Sequence, residues 1–533
     1  MRSSRLAEGA DARCVLWGPP GVGKSAAGRA LAEALGWAFT DLDAVVEAEA
    51  GATVAQLFDR DGEVAFRERE RAALERLMAT APGVIAVGGG ALVDRALRHE
   101  TLRRARVVSL QAPAATLWAR LAGGADRPLL RGGAWALERL LESRRAAYSE
   151  AHAVVDASGP IEAVVAVVAG LLRDAAPMVV PLGERTYRVF VGPLEDLPRR
   201  APTPPPTVLV SDATVLRHWG GLARRALGAA GATVVLRPGE RSKTLRSAAR
   251  VWEAASTQGA DRRAIIACVG GGVVTDVGGF AASAWLRGVP YVSVPTSLLA
   301  MLDASVGGKT GVDLPAGKNL VGASQQPSMV WIDPAVIATL PLRQYRAALS
   351  EVVNVAAVRD ADLLAWLEAH AARVSSRPDA SALAPGGVVE AMIRRVVQAK
   401  IDLVADDERE CGPRALLDFG HTVGRALEAG AGFRALHGDC LAVGMRAELL
   451  IGESLGVTTR ELRTRLVGLM DALGLPRAVA ADPGRAREAL RLDKKRESQG
   501  FRAVLVSAPG EGRVVDVTPE HLMTALDPLN EIR

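Results

Sequence analysis

At 533 residues, about half of them apolar, the chain is too long for one hydrophobic core and reads as several globular domains rather than disorder. Lys plus Arg (65) barely exceeds Asp plus Glu (60), for a net charge of +5 without any Lys/Arg run of nucleic-acid type. Its arginines are therefore expected to bind small anions rather than a polyanion.

The four cysteines, Cys14, Cys268, Cys411 and Cys440, are scattered with no C-x-x-C pair, which speaks against a disulfide framework and against a thiolate zinc site. The N-terminus lacks the apolar stretch of a signal peptide, and the apolar run at 163–172 is too short for a bilayer. The expectation is a cytoplasmic protein with no membrane partner.

In chain order, an apolar run at 13–17 meets glycines and then the helical pattern "KSAAGRALAEAL". Strand-like "VIAVGGG" (84–90), "RVVSLQA" (106–112) and "AVVDASG" (153–159) alternate with helical segments, the rhythm of a parallel sheet. A helical pattern at 160–174 ends in a linker around 173–178. A second unit opens with the turn-rich "MVVPLGERTYRVFVGP" (178–193). After the proline cluster "APTPPPT", the segments "VLVSD", "TVVLRPGE" and "AIIACVGGG" read as strands of a nucleotide-binding half. From about 341 to about 497 the pattern is helical, and "FRAVLVSA" with "RVVDVT" predicts a terminal hairpin.

Two chemical signatures stand out. Gly18-Pro19-Pro20-Gly21-Val22-Gly23-Lys24-Ser25 fits G-x-x-x-x-G-K-[ST] between a strand and a helix. Its glycines let backbone N–H groups of Gly21, Val22, Gly23, Lys24, Ser25 and Ala26 wrap phosphate oxygens; Lys24 can reach the β/γ phosphates and Ser25 can hold Mg²⁺. The expectation is a cradle for a nucleotide's phosphates. Downstream lie Asp41 and Asp43, Arg67 after Phe66, the run Gly88-Gly89-Gly90, Arg127 in "DRPLL", and Arg144 in "SRRAAY". In this order the set resembles shikimate kinase over residues 12–174. The resemblance implies that Asp43 takes the shikimate hydroxyls and assists the attacking oxygen, and that Arg67 and Arg144 clamp the carboxylate. It further implies that Gly88–Gly90 approaches the ring and that Arg127 belongs to a lid over ATP.

The second signature is "VGGGVVTDVGGF" (269–280), supplying Gly270, Gly271, Gly272 and Asp276 after a strand. Near it in sequence lie Glu240 and Lys243 in "PGERSK", Thr296 and Ser297 in "VPTS", and "MLDASVGGKTGVDLPAGKN" with Asp303, Lys309, Lys318 and Asn319. From about 178 to 525 the chain resembles 3-dehydroquinate synthase, of the sugar phosphate cyclase family. That resemblance implies NAD on the glycine run and Zn²⁺ on Glu351, His421 and His437, with open positions for substrate. It implies transient oxidation of a ring hydroxyl, elimination of phosphate and aldol closure, with NAD recycled. Lys400 and Arg414 would bind the substrate carboxylate, Lys494 falls on a family lysine, and Arg287 would serve a neighbouring subunit's site, implying a homodimer.

Three positions depart from the family pattern: Asn354 replaces a lysine, Asp418 an asparagine and Arg425 a histidine. Either Asp418 and Arg425 compensate each other, or the pocket takes another sugar phosphate, such as sedoheptulose 7-phosphate, or the half is an inactive scaffold. The expected fold is α/β throughout: a P-loop kinase domain with a parallel sheet (1–174), a Rossmann-like NAD-binding domain (175–340), and a mostly helical metal-binding domain (341–533). The expected whole is a bifunctional shikimate-pathway enzyme acting on small molecules.

Overall fold

The computed structural model describes residues 13–80, 82–121, 130, 132–314, 317–491, 496–497 and 500–526. The chain divides into two compact units, Met1–Phe190 and Val191–Arg533.

In the first unit the elements run β1 (Arg13–Trp17), α1 (Lys24–Leu35), β2 (Phe39–Asp41), α2 (Leu42–Ala50), α3 (Val54–Thr80), β3 (Gly83–Ala86), α4 (Arg95–Arg104), β4 (Arg106–Gln111), α5 (Ala114–Leu121), α6 (Ala134–Ser149), β5 (Ala153–Asp156), α7 (Ile161–Leu172), β6 (Met178–Val180) and β7 (Tyr187–Val191). Five strands pair in parallel in the order β2-β3-β1-β4-β5. A parallel sheet is covered on both faces, so β1 has no polar side. Cys14 and Leu16 pack with Val84, Val108 and Leu110, whereas Val15 and Trp17 pack with Leu42, Ile85 and Val107. Each fully buried aliphatic side chain of this kind contributes about 1.5–3 kcal/mol. β1 lies between β3 and β4, so the chain departs to both sides of it, and the loop at its C-terminal end is where such sheets bind ligands.

This unit extends past the 174/175 boundary read from the sequence, because the β6–β7 segment packs against the end of α6. There Glu150, buried, pairs with Arg98 at 2.7 Å, and His152, also buried, accepts from Val107 N–H at 3.0 Å. Burial opposes the charge on Glu150, but His99, Arg98 and the Gly183 N–H hold its pKa down to about 2 from an ordinary 4.5. Burial, with help from Arg106 and Arg188, holds His152 down to about 3 from 6.5. Both shifts make the unfolded state the better proton acceptor on acidification. Stability of this unit is therefore expected to fall as pH drops from 6.5 towards 3 through His152, and again from 4.5 towards 2 through Glu150. Thermal melts across that range check it; Glu150→Gln should remove the lower component, and a flat melting temperature would refute the assignment.

The second unit begins with α8 (Leu197–Arg200), β8 (Val208–Asp212), α9 (Ala213–Leu227), β9 (Ala232–Leu236), α10 (Leu245–Thr257), β10 (Ile266–Gly270), α11 (Gly272–Ala284), β11 (Tyr291–Pro295), the antiparallel pair β12 (Lys309–Leu314) and β13 (Gly317–Ser324), and β14 (Met329–Ile332). Five strands of this unit lie parallel in the order β14-β11-β10-β8-β9. The direction of winding reverses between β8 and β10, and the glycine run leaves the sheet there.

The helical part follows: α12 (Leu342–Arg359), α13 (Ala361–Ser375), α14 (Ala380–Leu383), α15 (Val388–Asp406), α16 (His421–Gly430), α17 (His437–Ser454), α18 (Arg460–Ala472) and α19 (Pro483–Arg491). It ends with β15 (Arg496–Glu497), β16 (Gly500–Ala508), β17 (Glu511–Val517) and α20 (Pro519–Leu526). The terminal hairpin is present, β16 against β17. Apolar residues at helical spacing, Val423, Ala426 and Leu427 on α16 and Cys440, Val443, Ala447 and Ile451 on α17, bury one stripe of each helix against α19 and β16. No helix is long and apolar enough to cross a membrane, among the described residues.

Candidate active sites

In the first unit the loop from Gly18 to Gly23 turns through left-handed φ at Gly18 (144°), Gly21 (79°) and Gly23 (95°). A Cβ on Gly18 would collide with the Leu110 carbonyl, so the position demands glycine both for its conformation and for its clearance. α1 starts after Gly23 with no capping side chain, which leaves its first N–H groups turned to the loop. Lys24 Nζ donates to the Gly18 and Pro19 carbonyls, both at 3.0 Å, so its charge lies over the cradle.

Four elements bring the acceptor side together. Asp43 sits in the first turn of α2, where burial lifts its carboxyl above the ordinary range against the pull of Lys24. Arg67 on α3 pairs with Glu70 at 2.6 Å and Glu63 at 3.1 Å and lies over the Phe58 and Phe66 rings. Arg144 and Tyr148 come from α6, and Tyr148 donates to the Gly89 carbonyl at 2.9 Å. The three glycines are the meeting point. A Cβ on Gly88 would strike Glu70 and lie 3.1 Å from Asp43; one on Gly89 would lie 3.5 Å from Arg144; one on Gly90 would strike Arg67. Arg127 lies outside the described residues.

Because the atom met at Gly90 is the tip of a flexible side chain, Gly90→Ala is expected to fold normally but displace the guanidinium. The Michaelis constant for a carboxylate acceptor should rise about tenfold with that for ATP unchanged; kinetics with each substrate varied in turn decide it. Glu70, buried and aimed at this cluster, was missed from sequence: inside the charge run "RERERAALERL" (67–77) nothing separates it from solvated neighbours except its place one turn after Arg67.

In the second unit Glu351 on α12, His421 at the start of α16 and His437 at the start of α17 place one ligand atom each within 4.8 Å of one another. Glu351 Oε1 is 3.2 Å from His437 Nε2 and 3.6 Å from His421 Nε2. Glu428 accepts His437 Nδ1 at 2.6 Å and also Lys318 Nζ at 2.9 Å. Burial opposes the charge on Glu351, yet the two imidazoles hold its carboxyl below the ordinary range. Against burial, Glu351 and Glu428 push His437 up to about 10. Two buried carboxylates around two imidazoles form a cluster whose charge calls for a cation, and one oxygen with two nitrogens suits Zn²⁺. Glu428 is the outer partner that fixes a ligand's ring. It was missed from sequence, although its place two helical turns after His421 was a usable signal.

Around this triad, buried Lys400 pairs with the side chain and carbonyl of Asp303. Buried Arg414 donates to the carbonyls of Gly307 (3.1 Å) and Glu408 (2.8 Å). Burial lowers the Lys400 pKa against the pull of Asp303. Asn354 is fully buried and donates to the carbonyls of Leu417 (3.1 Å) and Phe419 (2.5 Å), so it braces the turn that leads into His421. Asp418 and Arg425 are joined at 2.8 Å, the contact that the first of the alternatives read from sequence requires.

At the glycine run, α11 starts after Gly271 with no capping side chain, and a Cβ on Gly271 would lie 3.3 Å from Ser297 Oγ. Thr296 N–H donates to the Gly270 carbonyl at 2.9 Å. Lys243 and Asp276 form a buried pair at 2.5 Å, in which burial lifts Asp276 to about 6 against Lys243. An uncapped helix start beside close-packed Gly270, Gly271 and Gly272 fits a dinucleotide's pyrophosphate. Glu240 reaches Lys318 at 3.5 Å. Lys309, on β12, pairs with Glu410 and is exposed; Asn319, exposed with φ 54°, occupies the β12–β13 hairpin. Arg287 ends the turn Trp285–Arg287, where Leu286 (47°) and Arg287 (68°) both have positive φ. Lys494 lies outside the described residues.

Family models match three stretches of the chain: Shikimate kinase over residues 20–171, 3-dehydroquinate synthase N-terminal over 233–347, and 3-dehydroquinate synthase C-terminal over 348–496. The 3-dehydroquinate synthase of Thermosynechococcus vestitus is 40% identical over 358 residues, 64% of this chain and 96% of that protein. That of Symbiobacterium thermophilum is 42% identical over 361 residues, 65% of this chain and 99% of its own. The chain belongs to the 3-dehydroquinate synthase family. Its N-terminal part is a shikimate kinase domain, so the chain joins a kinase to a cyclase. Among solved structures, ValA (2-epi-5-epi-valiolone synthase) from Streptomyces hygroscopicus subsp. jinggangensis, with NAD+ and Zn2+ bound, is 32% identical at a TM-score of 0.59, covering 65% of this chain and 97% of its own.

Proposed function

We propose that this shikimate kinase–dehydroquinate synthase chain phosphorylates shikimate with ATP and converts 3-deoxy-D-arabino-heptulosonate 7-phosphate to 3-dehydroquinate with release of phosphate. For the kinase, Gly21 to Ala26 cradle the phosphates, Ser25 holds Mg²⁺, and Arg67 and Arg144 grip the shikimate carboxylate. Asp43 accepts the proton of the attacking hydroxyl, and its raised pKa suits it to that transfer.

For the cyclase, Glu351, His421 and His437 would hold zinc and the Gly270–Gly272 turn would hold NAD. These groups supply Lewis-acid polarisation and a recyclable hydride acceptor. Lys400, with Arg414, binds the substrate carboxylate while Asp303 fixes the Lys400 ammonium. Lys309, Lys318 and Asn319 face the substrate's other oxygens from the β12–β13 hairpin, and Arg287 serves a second copy. ValA, which carries NAD+ and Zn2+, supports the cofactor pair. The domain limits that go with this reading are those of the sequence, 1–174, 175–340 and 341–533, with residues 175–190 packed in the first compact unit.

The observation that carries the choice of substrate is the buried Lys400–Arg414 pair of cations near Glu351: Asp303 pairs with Lys400, and a substrate carboxylate would meet the second charge. A second reading, a different sugar phosphate such as sedoheptulose 7-phosphate, draws on Asn354, whose amide is committed to two backbone carbonyls, and on Asp418 and Arg425, which pair with each other. Purified protein supplied with NAD, zinc and each phosphate separately distinguishes them. Dehydroquinate from the heptulosonate is the expected outcome; phosphate release from sedoheptulose 7-phosphate alone would select the second reading.

A further inference from the structure

The shikimate kinase match ends at residue 171, yet the first unit continues to Phe190, and the added residues are bonded to the helix that carries Arg144. Three sets of contacts converge just past the end of α6. Gly183 N–H donates to Glu150 Oε1 at 2.7 Å, and Ser149 Oγ donates to the Gly183 carbonyl at 2.7 Å. Arg188, on β7, spreads its guanidinium over the chain between α6 and β5, donating to the carbonyls of Ser149 (3.1 Å), Ala151 (2.8 Å) and His152 (3.2 Å). The turn that presents Gly183 is itself fixed, since Leu182 N–H donates to Thr186 Oγ1 at 3.1 Å and Thr186 N–H returns to the Gly183 carbonyl at 3.1 Å.

From Glu150 the connection runs on to the other wall of the acceptor pocket. Its second oxygen takes Arg98 Nε at 2.7 Å, and Arg98 Nη1 donates to the carbonyls of Leu92 and Val93, both at 2.8 Å, directly behind the Gly88–Gly90 turn. Arg98 and Glu150 are both buried. On the pocket side, Tyr148 OH donates to the Gly89 carbonyl, and its ring stands edge-on to Trp17 at 4.7 Å. The end of α6 and the triple-glycine turn are therefore joined twice, once inside the pocket and once behind it, and the rear joint is closed by residues 182–188.

We propose that residues 182–188 form a clasp, with Arg188 and Gly183 as positioning residues, that sets the placement of Arg144 and Tyr148 and thereby the affinity of the kinase for its carboxylate acceptor. The physical reason is leverage. Arg144 is one helical turn before Tyr148, and both precede the bonded residues 149–152 without a flexible link. A guanidinium that grips a carboxylate in a fork tolerates little displacement. The clasp touches neither the loop of Gly18 to Ser25 nor Asp43, so nucleotide binding and proton transfer should not depend on it. The proposal rests on the reading of Arg144 as a shikimate ligand.

The test uses the full-length protein and steady-state kinase kinetics with shikimate and ATP each varied. Arg188→Ala should raise KM for shikimate about tenfold, with kcat and KM for ATP within about twofold of wild type. Arg188→Lys should recover part of the loss. Because Arg188→Ala could also disturb folding, the pair Gly183→Asn and Gly183→Val gives an independent reading. Asparagine tolerates the φ of 63° at Gly183 and should be near wild type, while valine should strain the turn and copy Arg188→Ala. A fall in kcat with KM unchanged in both Arg188→Ala and Gly183→Val would mean a structural role only and would overturn the clasp. If wild-type turnover shows no dependence on shikimate, the kinase reading itself fails, a result separate from any difference among the variants.

Discussion

His421→Ala is expected to abolish cyclisation, by about three orders of magnitude or more, while ATP-dependent phosphorylation by the same preparation stays within about twofold. The asymmetry follows from where the ligands come from. Glu351, His421 and His437 all lie in the second unit, and their three ligand atoms fall within 4.8 Å only because α12, α16 and α17 meet there. Removing one imidazole leaves an oxygen and a nitrogen, too few for a catalytic zinc site, and takes from the buried carboxylate of Glu351 one of its two imidazole partners. Glu428→Gln is a milder lesion: the ring of His437 keeps its ligating nitrogen but loses the carboxylate on Nδ1. A loss of about 10–100-fold in metal affinity is expected from it. Zinc stoichiometry measured beside both activities checks the pair. Retention of full cyclase activity by His421→Ala would remove the metal centre from this site.

Lys24→Met should have the mirror-image effect. Lys24 lies over the phosphate loop and also pulls more strongly on the Asp43 carboxyl than Arg67 does, so it serves both the nucleotide and the charge around the proton acceptor. Phosphoryl transfer depends on charge neutralisation and positioning more than on covalent chemistry, and losing this ammonium should lower kinase turnover by about 10³-fold. Methionine fills much of the same volume, so the fold and the cyclase reaction should be untouched. A kinase rate within tenfold of wild type would show that the cradle is not used for transfer.

The phosphate loop and both parallel sheets were legible in the sequence because each depends on local residues whose chemistry is specific, whereas the metal triad, spread from Glu351 to His437, was reached through the family resemblance. Gly18 to Ser25 is contiguous, and β1 and β10 announce themselves as apolar runs that end in glycine. The β12–β13 pair was not read as strands: its glycines and lysines carry no alternation of apolar and polar positions, and pairing partners rather than propensity make it a hairpin. Glu70 and Glu428 were hidden for a different reason. A glutamate on a helix is ordinarily solvated, and only the opposing elements turn these two inward. Asn354 looked like a lost pocket lysine; in three dimensions its amide is committed to two backbone carbonyls. Asp418 and Arg425, weighed in the sequence as a compensating pair, are joined although Gly420 separates the turn of one from the helix of the other.

The crossing of α16 with α17 also constrains how this cyclase can diversify. A Cβ at Gly420 would press on Met445, at Gly438 on the Ala347 carbonyl, and at Gly444 on the Gly420 carbonyl. These are backbone-to-backbone approaches, so no rearrangement of side chains relieves them, and single substitutions there are closed to natural drift and to directed evolution alike. Variation is channelled instead to residues that bear on the frame without building it, Asp418 and Arg425 among them. A library that randomises Asp418 and Arg425 and leaves the glycines and Asn354 fixed samples new pockets while the metal ligands keep their geometry.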